Sequence, residues 1–150
     1  MKIAIALHLL ASLIWVGGMF FALIALRPAT MALETKERIK LWTATLTGFF
    51  PWVWAAIITI LVSGYWMIFM VFGGMKNLGL HIHLMQTIGI LMMLLYMPLF
   101  FAPFRRLKIA VKQENYELAA KKLGQVRILV AINLVLGILN VIIGSAGRYL

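Results

Sequence analysis

Four long apolar runs organise this 150-residue chain, spanning residues 3–26, 45–72, 80–101 and 126–144. Each is close to the ~20 residues a helix needs to cross a bilayer. The first ends at Arg27-Pro28, the second at Gly73-Gly74, the third before Pro103 and Arg105-Arg106, and the fourth before Arg148. In hydrocarbon every backbone polar group must be satisfied within the protein, which leaves helices or closed barrels. The runs are too long and continuous for the alternating segments of a barrel strand. The expected fold is therefore all-α: one integral membrane domain over residues 1–150, built as a four-helix bundle in a lipid bilayer. Composition agrees, since 12% charged residues, against ~25% in soluble domains, cannot coat a water-soluble globule. The first run exceeds the ~7–15 residues of a signal-peptide core and has no clean small-x-small site after it. It reads as a retained helix.

The net charge is +10. Beside apolar runs, such charge reads as membrane orientation and contact with anionic lipid rather than as a nucleic-acid surface. Arg27, Lys36, Arg38 and Lys40 follow the first run, and Arg105, Arg106, Lys108, Lys112, Lys121, Lys122 and Arg127 follow the third. Only Lys2, Lys76 and Arg148 fall on the other side. Eleven against three predicts both basic stretches in the cytoplasm. Both termini and the 73–79 connection then lie outside a bacterial-type inner (plasma) membrane. The basic segment, about 104–123, is expected to lie on the inner membrane surface or to extend helix 4. Asn115 is placed to cap a helix that opens at Tyr116-Glu117.

The chain has no cysteine, which excludes disulfides, thiolate-bound zinc and iron–sulfur clusters. It carries no nucleotide loop, metalloprotease motif or nucleophile elbow. Intramembrane ligating groups are costly and hence functional candidates. The only histidines are His8, His81 and His83, all toward the outer side in the topology above. Imidazole binds haem iron, copper and zinc, and helix bundles build cofactor sites from side chains on facing helices. His8 is the first candidate ligand, His81 the second and His83 the third. Two residues turn a helix by about 200°, so His81 and His83 cannot both face one iron unless the helix begins later; one should point into the bundle and the other should face a second site, a propionate or the headgroups. Three interfacial histidines bound to water or lipid are the plainer alternative.

Several neighbouring patterns bear on the same region. Ala11, Ser12, Trp15, Gly18 and Ala22 share the His8 face, leaving room for a flat ring or a close helix. Asn133, Gly137, Asn140 and Gly144 form a similar face in the fourth run, where the asparagines read first as interhelical hydrogen-bonding groups. Ten methionines raise the possibility of Cu(I), which thioethers suit; His81, Met85 and Met92 share one face. Methionine is equally a flexible apolar filler.

The stretch His8-Leu9-Leu10-Ala11-Ser12-Leu13-Ile14-Trp15-Val16-Gly17-Gly18 resembles the first helix of CopD-type membrane proteins. It is also similar to the related HemJ-type protoporphyrinogen oxidases. Gly79-Leu80-His81-Ile82-His83-Leu84 resembles the HemJ pattern Gly-Trp-Leu-His-x-Lys, and Arg127 falls where that family carries an arginine. The resemblance implies a four-helix membrane protein that binds haem b, with His8 and His81 matching the family's histidines; CopD members are linked to copper handling. His83 stands where HemJ has lysine, and the Asn-Glu-x-Pro stretch after the arginine is missing. These departures count against protoporphyrinogen oxidation.

The first functional expectation is a haem b redox protein, an electron carrier or an oxidase-like oxidoreductase with an unidentified redox partner. Its haem would be non-covalent, since Cys-x-x-Cys-His is absent. Arg148, Lys76 or Lys2 would pair with propionates, and Arg127 is a further cofactor contact from the resemblance. The alternative is a copper-handling protein using the same histidines with methionines. A structural subunit without cofactor is the third reading. A homo-oligomer is compatible with all three.

Overall fold

The computed structural model describes residues 1–149, with the side chains at 77 and 148 outside the description. Four helical segments are long and apolar enough to cross a membrane: α1 (Lys2–Ala32), α2 (Thr35–Met70), α3 (Leu80–Lys112) and α4 (Tyr116–Ala146). No strand occurs among the described residues. The chain is an all-α four-helix membrane bundle. α1 packs mainly along α2, and α3 mainly along α4; α4 also touches α1 and α2 and so joins the two hairpins. At the α1–α2 contact Gly18 has no Cβ, and the Phe49 ring occupies the space one would need.

The helices outrun the apolar segments, and two devices explain it. The proline signals do not end α1 or α3. Pro28 and Pro103 lack the N–H that would bond one turn back, and each is absorbed by a π-helical turn, over Phe21–Leu26 and Phe100–Phe104. Such turns commonly relieve a disrupted helix ladder. The chain then continues helically to Ala32 and Lys112.

The second device is a helical extension at the basic end. α2 starts at Thr35 rather than near 45, and α4 at Tyr116 rather than near 126. The 104–123 stretch is thus not a segment of its own. Arg105–Lys112 completes α3, and Tyr116 opens α4. The tight turn between them has Glu114 at φ 56°. Asn115 caps α4 by accepting from the Leu118 N–H at 3.0 Å, as its position in the sequence suggests.

The packed core lies in this half of the molecule. Ile39, Trp42, Leu107, Ala110, Ala119, Leu123 and Val126 are buried, and the Lys36 ammonium sits 5.3 Å above the Tyr116 ring. Toward mid-bundle an aromatic cluster follows. Phe50 meets Phe104 edge-on at 4.5 Å and Tyr96 at 5.5 Å, and Trp54 meets Tyr96 at 5.4 Å. Trp15 reaches the same tyrosine from α1. Beyond this cluster, the backbones of α2 and α3 no longer approach closely and a cavity opens.

Candidate functional site

The cavity lies at the end opposite the basic residues and has two joined lobes. The larger, about 500 Å³, runs between α1, α2 and α3 and reaches α4; the smaller, about 190 Å³, runs mainly between α1, α3 and α4. His8, Met85, Met93, Gly89, Asn140 and Gly144 belong to both lobes. His81, Met67, Tyr65 and Gln86 line only the larger, and Met92 and Trp15 only the smaller. Trp15 and Met92 are buried and form the floor on the aromatic side. Most other lining groups are aliphatic.

His8 is held by its neighbours. Its Nδ1 lies 3.0 Å from Ser63 Oγ on α2. Ser63 has one hydroxyl hydrogen, and its Oγ is 2.6 Å from the Thr59 carbonyl, the shortest acceptor available. The serine therefore donates to Thr59 and accepts from His8 Nδ1–H. This hydrogen-bond assignment puts the proton on Nδ1 and makes Nε2 the ring's ligand or acceptor atom. Gly64 completes the seat: a Cβ there would stand 3.3 Å from the imidazole Cε1. Ser12 returns its hydroxyl to the His8 carbonyl at 2.8 Å.

α3 and α4 close the other side. Gly144 lets α4 approach Met85, whose Sδ would lie 2.8 Å from an added Cβ; Gly147 does the same for His81, with 2.6 Å to its Cβ. The Asn140 amide oxygen is buried without a hydrogen-bond partner. Asn133, two turns away, donates across the helix interface to the Met92 carbonyl at 3.2 Å, while its own amide oxygen is left unpaired.

The structure thus brings His8 and His81 to one cavity, together with Met85. His83 is exposed and does not line it, as the turn between positions 81 and 83 requires. Arg127 does not line the cavity either; the charges that act on it are Arg27 and Arg38. Arg27 is 19 residues along α1 from His8, about 28 Å at 1.5 Å per residue, so Arg127 belongs to the basic end. Lys2 and Lys76 are exposed. The Arg148 side chain lies outside the described residues. No cluster of three or more His, Asp or Glu poised for a metal occurs among the described residues; the soft donors here are methionines.

Sequence reasoning missed Ser63, Met67, Met93 and the Tyr65–Gln86 pair. Ser63-Gly64 and Gln86 are polar or small interruptions of apolar runs, a signal that was there to be read. The role of Ser63 depends on a contact 55 positions away, which no local pattern carries.

Residues 43–146 match the family model of CopD, copper resistance protein D. No curated protein and no solved structure matches the chain. The matched span includes α3, α4 and most of α2, hence Ser63, His81, Met85 and Asn140, while His8 precedes it. With 104 of the 150 residues inside the match, the chain belongs to the CopD family of copper resistance membrane proteins.

Proposed function

We propose that this single-domain protein handles copper by holding Cu(I) in the cavity between its helices, as a membrane step of copper resistance. The observation that carries the reading is His8, its Nε2 left free by the Ser63 bond, in a cavity that also presents Met85, Met93 and, in the larger lobe, His81 and Met67. Thioether sulfur and neutral imidazole suit Cu(I). Hard cations such as Ca²⁺ and Mg²⁺ take oxygen ligands, and no carboxylate lines either lobe. The family match favours copper over haem b, the first expectation from sequence. The excess of basic residues at the opposite end supports an outward-facing cavity in the inner membrane.

Ser63 orients His8, and Gly64 and Gly144 admit the imidazole and the Met85 thioether. His8 Nε2 and the Met85 sulfur are the principal ligands, with Met93 and His81 as further donors.

The test is Cu(I) binding by the full chain in detergent, under anaerobic reducing conditions, against a chromophoric Cu(I) chelator. One tight Cu(I) per chain is expected, with His8→Ala and Met85→Leu each weakening it at least about tenfold, the lower end of what losing a metal-site group costs. Unchanged affinity in both variants overturns the proposal. A sharp visible α band in the reduced-minus-oxidised spectrum, lost in His8→Ala, would return the site to haem.

A further inference from the structure

The larger lobe holds about 500 Å³, far more than one ion fills; a water molecule's share of liquid is ~30 Å³. Sites for organic ligands run from ~300 to ~1,000 Å³, with apolar walls and a few placed polar groups. On one side stand two acceptors: His8 Nε2, free because Nδ1 serves Ser63, and Asn140 Oδ1, buried without a partner. At the surface of the bundle Tyr65 Oη accepts from Gln86 Nε2 at 2.9 Å. The tyrosine keeps its own hydrogen to donate. This bond bridges α2 and α3 beside the larger lobe.

We propose that the larger lobe binds a membrane-soluble hydroquinone-class molecule. Its ring lies in the lobe, and one hydroxyl donates to Asn140 Oδ1. The opposite oxygen accepts from the Tyr65 hydroxyl, and the apolar tail leaves between α2 and α3. A lipid acyl chain satisfies the walls but brings no donor, leaving buried acceptors unpaired at a real cost. The oxidised quinone sets a carbonyl against those acceptors, so the reduced form is selected. Recognition of this kind needs no copper.

The experiment uses the full chain in zwitterionic nanodiscs with a Cu(I) chelator present. Thermal unfolding is followed with decylubiquinol, decylubiquinone and decylbenzene, since a ligand of the folded state raises the midpoint with concentration. Decylubiquinol should stabilise at concentrations about tenfold below decylubiquinone, the ratio one lost hydrogen bond gives, and decylbenzene should do nothing. Asn140→Leu should erase the preference for the reduced form. Tyr65→Phe, a change at an exposed position that leaves packing intact, should weaken decylubiquinol by about tenfold. Equal stabilisation by all three compounds, none by decylubiquinol, or effects that survive both substitutions would overturn the proposal. Cu(I) affinity, measured separately, can fail or hold without altering these outcomes.

Discussion

Ser63 carries one hydroxyl hydrogen, and where it goes decides what His8 can do. Given to Thr59, it leaves the serine oxygen to hold Nδ1–H and makes Nε2 the ligand atom of a residue that lines the cavity. Partners of this kind typically set metal affinity by 10–100-fold. Ser63→Ala should therefore weaken Cu(I) about tenfold or more while the folded bundle persists. Ser63→Thr, which keeps the hydroxyl, should restore most of the affinity. Chelator competition on the three proteins reads this directly, and a Ser63→Ala protein with unchanged affinity would show that the contact only packs. At this scale the sequence was informative about ligand types and silent about their partners. His8 and His81 stand out as polar groups in apolar runs. The choice of His81 over His83 waited on the rotational phase of α3, and the Ser63 contact on the crossing of α1 with α2.

Among the helices, much of the order comes from bonds that cross between elements. Tyr96 on α3 donates to the Phe50 carbonyl on α2 at 3.2 Å, and Trp42 donates to Thr30 at the end of α1 at 3.1 Å. Hydrogen bonds between membrane helices average ~0.6 kcal/mol and reach ~1.7. Tyr96→Phe keeps the ring and its edge-on contacts, so it should lower stability by about 1 kcal/mol, measured by denaturant unfolding in mixed micelles. A loss several times larger would mean that the aromatic cluster itself had rearranged. The number and order of the helices were legible in the apolar runs, because membrane burial demands apolar length. Their ends were not. Apolarity stops near the headgroups, whereas helix continues wherever propensity and packing allow, as Ile39 and Trp42 do for the start of α2 and Ala119 and Leu123 for that of α4. Pro28 and Pro103 read as stops because a π turn leaves no mark in composition.

As a whole, the molecule is asymmetric along its axis. α2 has 36 residues, about 54 Å of helix at 1.5 Å per residue, against a hydrocarbon core of ~30 Å. Its overhang, with the end of α3 and the start of α4, makes a well-packed basic end, while the far end is loosely packed and hollow. On the charge bias, the proposed orientation has the basic end facing the cytoplasm. A reporter inserted after Gly74 should read as extracytoplasmic and one in the Gln113–Asn115 turn as cytoplasmic; the reverse pair of readings would turn the cavity inward. The hollow end was out of reach of sequence reasoning, since it reflects the spread of α2 from α3 rather than any one residue.

The floor of the cavity, Trp15 and Met92 backed by Tyr96 and Phe50, has an electrical consequence. With the cavity facing outward as proposed, a cation bound at His8 would enter part of the transmembrane field and be stopped there by this floor. His8 lies six residues along α1 from Lys2, about 9 Å at 1.5 Å per residue, or roughly a third of a ~30 Å core. A full crossing is worth ~2.3 kcal/mol per elementary charge per 100 mV, so this partial one is worth about 0.7. In a cell with a negative interior, a polarised membrane would tighten a monovalent ion about threefold at 100 mV, and depolarisation would release it again. Occupancy would follow voltage without steady current ever flowing.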